Sequence, residues 1–234
     1  DIPESWVWCK LGELTKTITK GSSPKWQGVS YTDREHGILF VTSENVGVEQ
    51  LLLAKEKYVG REFNAMHPAS ILQKGDLLTN IVGASIGRTA IFNLDIPDAN
   101  INQAVCIIRL VNNTIAEYIL KFLNSTVAIE MMTNKSVDSA RANLSLTSVT
   151  NLLIPLPPLA EQKRIVAKLE EILPLIDRYE AAWNKLEEFN KRFPGDMQKS
   201  ILQLAIQGKL VPQRPEEGTG EALYQQIQAE KQSL

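Results

Sequence analysis

Gly83-Ala84-Ser85-Ile86-Gly87 has the spacing of a catalytic device. It fits G-x-S-x-G, where a serine on a strained strand-to-helix turn is activated by a histidine that an acid orients. That chemistry needs a helix directly after the serine and a histidine later in the chain. Here RTAIFNL follows, which reads as a strand, and both histidines, His36 and His67, come before the serine. A hydrolase is therefore excluded. The two histidines are expected as surface or loop residues, and the glycines are expected to shape a polar turn between strands. Neither G-x-G-x-x-G nor G-x-x-x-x-G-K-[ST] occurs, so neither phosphate-cradling loop is expected. Cys9 and Cys106 lack C-x-x-C spacing, and with so few Cys and His a zinc site is not expected. Glu170–Glu171 and Glu187–Glu188 read as solvated helix charges rather than metal ligands. What remains is binding or assembly.

The elements that must position such a module divide in two. The chain has 234 residues, 44% hydrophobic and 22% charged, with a net charge of −2. This excludes a disordered tail and a disulfide-stapled miniprotein. No apolar run reaches the 18 or so residues of a membrane span, and DIPESWVWCK does not read as a signal peptide. The thiols are expected reduced, in the cytoplasm. Residues 1–158 hold short β-branched runs at Ile38–Thr42, Asp76–Val82, Arg88–Phe92 and Gln103–Leu110, punctuated by Gly, Asn, Asp and Pro. A helix is expected over Ile115–Thr126. Trp6 and Trp8 are expected on a strand face toward the core. The fold expected is α+β: a globular domain with a mixed or antiparallel sheet, then a long coiled-coil-forming helix and short helices. Pro155, Pro157 and Pro158 read as a stiff junction that ends any sheet.

Residues 159–234 switch to helical spacing. Ile165, Leu169, Ile172, Ile176, Tyr179, Trp183, Leu186 and Phe193 follow steps of four and three, with Asn190 filling one slot. This is a heptad seam, expected to pair with another helix over about 45 Å. Pro174 is expected to kink it. Pro194 and Gly195 are expected to end it, with Asp196 capping a new helix to about Gln207. A final amphipathic helix is expected over Glu221–Leu234. Residues 1–158 carry 14 basic and 15 acidic side chains, so any nucleic acid would have to be held by a local basic patch.

Four strings together resemble the specificity subunit of Type I restriction–modification systems. They are IPESWVWCKLGEL, KGDLLTNIVGASIGRTAIF with NQAVCIIRL, IPLPPLAEQKRIVAKLEEIL, and QKSILQLAIQGKLVPQ. The proline junction with AEQKRIV and the SILQ…GKLVP string are the most specific. The resemblance implies a target-recognition domain over 1–158 and a helical spacer, dimerisation and subunit-docking region over 159–234. It implies no catalysis and no cofactor in this chain; S-adenosylmethionine, ATP and Mg would belong to partner subunits. The implied partners are double-stranded DNA, methyltransferase subunits and, through them, a restriction subunit. Family members usually carry two recognition domains and two spacers. One of each here leaves two readings open: a half-size subunit that forms a homodimer, or a piece of a two-domain subunit. The alternative is a helical adaptor without base contacts.

A DNA-reading domain must hold phosphates and place polar side chains at base edges. Under the resemblance the candidates are Lys20, Ser22, Ser23 and Lys25 in a loop with Trp26; Thr42, Ser43, Glu44 and Asn45 after a strand; Thr79, Asn80, Ser85 and Arg88 around GASIG; and Arg141 and Asn143. Arginine suits guanine, asparagine adenine, glutamate the cytosine amino group, and serine or threonine either role.

Overall fold

The computed structural model describes residues 2–96, 98–133 and 143–232. The chain forms two compact units, Asp1–Glu170 and Glu171–Leu234.

In the first unit β2 (Thr15–Lys20), β9 (Val105–Leu110), β6 (Asp76–Asn80) and β7 (Thr89–Phe92) form an antiparallel sheet in that spatial order. A second sheet runs β3 (Tyr31–Thr32), β5 (Tyr58–Gly60), β4 (Gly37–Val41), β8 (Ala99–Ile101), with β4 and β8 parallel. The expected mixed α+β architecture is present.

The near-continuous apolar runs of β6 and β9 follow from burial on both faces. Along β9, Cys106, Ile108 and Leu110 join a core with Leu77, Ile119, Leu120 and Leu123. The last three belong to α2 (Ala116–Leu123), which is followed by the short helix α3 (Thr126–Thr133). Val105 and Ile107 face the other way, into a core with Leu78, Phe92, Leu39, Val41 and Ile101 of the second sheet. Deep burial pushes the Cys106 thiol up to about 12. A third, smaller cluster holds Val29, Ile38, Phe40, Val59 and Phe63, with Phe40 and Phe63 edge to face at 5.2 Å. Phe63 lies in α1 (Glu62–Met66), beside His67, which is half-buried; His36 is exposed and bonded to Asp33 at 2.7 Å.

Among the described residues, the most buried charge, Asp76, sits at one end of the first sheet. Asp76, 1% exposed, receives Arg109 Nε and Nη2 at 2.8 and 2.7 Å and the Gln73 amide at 2.7 Å. Arg109 also donates to the Ile71 carbonyl at 2.9 Å. The hydrogen bond to Asp76 holds the guanidinium above its already high range.

The edge strand β7 is closed without a fifth strand. Asn124 clamps both backbone groups of Thr89, and Glu49 accepts from Ile91 and donates to Thr89. Glu49 does so at φ 65°, a conformation that costs a non-glycine residue energy, and its carboxylate is held by Lys121 at 2.6 Å.

Several expectations are corrected. Pro155 does not end a sheet: β10 (Leu153–Leu156) pairs antiparallel with β1 (Val7–Lys10), opposite Trp8. A two-stranded ribbon is all edge, where a missing N–H is tolerated, and the Pro155 carbonyl takes the Tyr118 hydroxyl. Trp8 is 45% exposed rather than in the core. α4 (Leu146–Thr150) precedes this ribbon. α5 runs unbroken over Leu159–Ile206, 48 residues or about 72 Å, through both Pro174 and Pro194. The stop expected at Pro194–Gly195 fails because Met197, Ile201 and Leu204 continue the helical spacing of the seam. The unit boundary at 170/171 also differs from the one expected at 158/159. Gln162 is buried against the Pro157 carbonyl at 2.8 Å, and Ile165 and Val166 pack on the first unit's core. α6 (Gly220–Gln232) is the expected final helix.

Asp76→Ala strands a mostly buried guanidinium, which costs about 3 kcal/mol when one partner of such a pair is removed. Urea unfolding should show this loss with an unchanged m-value.

Candidate nucleic-acid interface

In the first sheet β2 and β6 finish, and β9 and β7 begin, at the same end. The parallel pair β4 and β8 delivers its two C-terminal ends to that end as well, because the Asn102 amide donates to the Val41 carbonyl at 3.0 Å and Asn102 leads through a tight turn into β9. The loops of both sheets therefore meet along one rim, and direct bonds tie them.

Gly21 presses on the β8–β9 turn. Its amide donates to Val105 at 3.4 Å, and a Cβ there would stand 1.9 Å from the Ile101 carbonyl oxygen, so only glycine fits. Asn80 Nδ2 reaches the Ser43 carbonyl and Ser85 Oγ, both at 3.0 Å, joining the loop after β4 to the β6–β7 turn. Asn143 bridges to Val82, and Leu144 donates to the Ile81 carbonyl at 2.8 Å.

GASIG is the β6–β7 turn. Bonds from Gly87 to Asn80 and from Asn80 to Arg88 close it, and Gly83 and Gly87 take φ of 84° and 89°. A strand follows it, as expected, so the serine stands on a hairpin.

The candidate residues separate by burial. Lys20, Lys25, Glu44, Arg88 and Asn143 are exposed, and Ser22, Ser23, Ser43 and Ser85 are half-buried along the rim. Glu44 is held by Lys57 at 2.9 Å, whose ammonium keeps the carboxyl below its ordinary range. Arg141 lies outside the described residues.

Four candidates are corrected. Thr42, Asn45, Thr79 and Asn80 are 5%, 2%, 1% and 0% exposed and spend their polar atoms inside the protein. Asn45 Oδ1 accepts from the Thr42 amide and hydroxyl, and its Nδ2 donates to the Leu52 and Lys55 carbonyls, all at 3.0 Å. Thr79 and Thr89 hydroxyls meet across the strands at 2.9 Å. These residues hold the loops that carry the readers.

Asn102 and Gln103 on the β8–β9 turn were missed by sequence reasoning. They sit on the rim, and both Gln103 Oε1 and Asn80 Oδ1 are buried without a protein donor. The signal was the polar pair between two apolar runs, NINQAVCII. The β-branched run read from the sequence counts Gln103 as the first residue of the strand, whereas β9 begins at Val105.

On the seam, Ile165 is half-buried and packs against the first unit's core, and Leu169 is half-buried. Ile172, Ile176, Tyr179, Trp183, Leu186 and Phe193 are exposed, at 38–69%. Tyr179 stacks on Trp183 and Phe189 leans on Phe193 at i,i+4 spacing, so the apolar stripe is continuous. Among the described residues there is no cluster of His, Cys, Asp and Glu able to hold a metal, and no helix long and apolar enough to cross a membrane.

This architecture, a mixed-sheet head and a long apolar-striped helix, is that of a family. Residues 3–188 match the model of the Type I restriction modification DNA specificity domain, and the chain belongs to that family. It is similar to the specificity subunit of the Type I restriction enzyme EcoBI of Escherichia coli, 30% identical over 98% of this chain and 49% of that protein. The EcoKI specificity subunit of Escherichia coli strain K12 is 24% identical over 89% of this chain and 44% of its own length. A chain from a solved structure of a type I R-M system, concerned with complex assembly and conformational transition, superposes with a TM-score of 0.60 at 25% identity, covering 90% of this chain and 48% of that one. The HsdS subunit of Thermoanaerobacter tengcongensis shares the fold, with a TM-score of 0.57 at 20% identity over 87% of this chain and half of that one. The chain spans about half the length of the curated relatives it matches.

Asn45→Ala removes four buried hydrogen bonds and should lower stability by about 2–3 kcal/mol, measurable by thermal or urea unfolding. A base-reading asparagine in solvent would leave stability within about 0.5 kcal/mol.

Proposed function

We propose that this chain is a non-catalytic DNA-reading half of a Type I restriction–modification specificity subunit. The rim of the first unit selects a short base sequence. The helical region docks methyltransferase subunits and, through them, a restriction subunit. S-adenosylmethionine, ATP and Mg belong to those partners, and the assembly works in the cytoplasm.

The observation that carries this reading is the convergence of both sheets' loops on one rim held by buried bonds. Phosphate contacts fall to Lys20, Lys25 and Arg88, and base-edge contacts to Arg88, Ser85, Ser43 and Asn143. A rigid rim matters because a base contact discriminates only if its donor is fixed to a fraction of an ångström. A structural adaptor has no use for such a set of pinned polar loops, and this favours the DNA reader over the adaptor.

Selection from a random duplex pool, with the methyltransferase partner present, tests the reading. Enrichment of one short motif is expected. Arg88→Ala should relax selection at one position by about 1–3 kcal/mol, the worth of one good contact. A pool that stays random would leave only the adaptor.

The apolar stripe of α5 is proposed to pair with a second helix, from another copy of this chain or from a second recognition half. In a self-paired form, two-fold symmetry calls for a palindromic split site. Ile172→Asp with Ile176→Asp puts two charges on that stripe and should reduce the particle to a monomer in sedimentation. An unchanged mass would refute pairing along the seam.

A further inference from the structure

Trp26 is 79% exposed, more than any other large apolar side chain of the first unit among the described residues. It is displayed there by rigid chain. The segment leaves the rim at Gly21, wedged against the β8–β9 turn, and returns to the third core cluster at Val29. Between them Pro24–Gln27 forms a single 3-10 turn. Pro24 is buried at its start, the Trp26 amide bonds the Ser23 carbonyl at 3.2 Å, and the Val29 amide bonds the Pro24 carbonyl at 3.0 Å. Gly28 closes the turn at φ 71°. An indole on a loose loop could fold down onto its own surface; this one is held away from it.

Lys25 precedes it and lines an open cleft of about 470 Å³ together with Tyr31, Thr32, Glu56, Lys57 and Tyr58. Lys57 is paired with Glu44, which leaves Lys25 as the cation next to the indole in the chain. In a duplex the base faces are stacked on one another, so an exposed flat π-surface next to a lysine, on a segment that leaves the polar rim, matches a deoxyribose face beside its phosphate. A protein partner would be matched by a broader apolar patch than one indole.

We infer that Trp26 is a DNA-contacting residue that packs on a sugar face next to the bases read by the rim, and so fixes the register of the head on the duplex. This inference rests on the DNA-reading function proposed above and extends it to a residue that bears no base-edge chemistry.

The test uses the full chain with its methyltransferase partner and the duplex enriched from the random pool. Trp26→Ala should weaken binding about ten-fold or more, the scale of one large apolar side chain losing its burial, with no change in thermal midpoint because the side chain is exposed. Trp26→Phe should recover most of it. The slope of log affinity against log salt should not change for Trp26→Ala, since no charge is lost. Lys25→Ala should reduce it by about 0.9 if Lys25 meets a phosphate. The quenching of tryptophan emission on adding duplex should shrink in Trp26→Phe, which leaves Trp6, Trp8 and Trp183 in place. Wild-type affinity for Trp26→Ala, with Arg88→Ala still relaxing selection, overturns the inference and leaves the DNA reader standing. Loss of methyltransferase binding at full duplex affinity would assign Trp26 to a protein contact and also overturn it. If no duplex is enriched at all, it is the function that fails.

Discussion

Burial of β9, β6 and β7 on both faces of their sheet is the constraint from which the rest of the first unit follows. α2 covers one side and the second sheet the other. A strand so enclosed has no solvent face on which to place polar groups, so polarity is driven to the strand ends. At one end this produces the Asp76–Arg109 pair, two charges tolerated because they bond each other at two points and also the Gln73 amide and the Ile71 carbonyl. At the other it produces the rim, where the strands give way to turns rich in Ser, Asn and Gly. The division of labour between a structural end and a binding end is set by burial before any ligand is considered.

The rim inherits its stiffness from that arrangement. Asn80 is wholly buried, yet its amide reaches two different loops. Asn45 does the same for the segment after β4. The exposed residues of the rim thus stand on a scaffold of buried ones, and the two kinds are neighbours in sequence.

That adjacency explains what could be read from the sequence and what could not. β6, β7 and β9 were visible because their β-branched runs are bounded by Gly and Asn, and the rejection of a nucleophile elbow rested on the strand after GASIG. The loops of the interface were visible as polar interruptions. Their burial was not: Ser43 and Asn45 look alike in one dimension, and only the return of Leu52 and Lys55 to the Asn45 amide separates a reader from a support. The β1–β10 ribbon joins residues some 145 apart, for example Cys9 with Ile154, which no local pattern reports. Pro194 misled for the opposite reason. Its intrinsic cost to a helix is about 3 kcal/mol, but the apolar spacing on both sides of it overrides the local signal. In the seam, spacing found the stripe but could not tell that Ile165 is already claimed by the head.

The Asp76–Arg109 pair lies at the far end of the very strands that carry the rim. The side chains on which folding leans hardest are thereby insulated from those that face the target. Substitutions at the exposed positions of the turns, such as Arg88, leave the buried charges and the cores untouched, so the exposed rim can change without a collapse of the scaffold. On the proposed DNA-reading role, this gives the head room to drift toward new base sequences while remaining foldable.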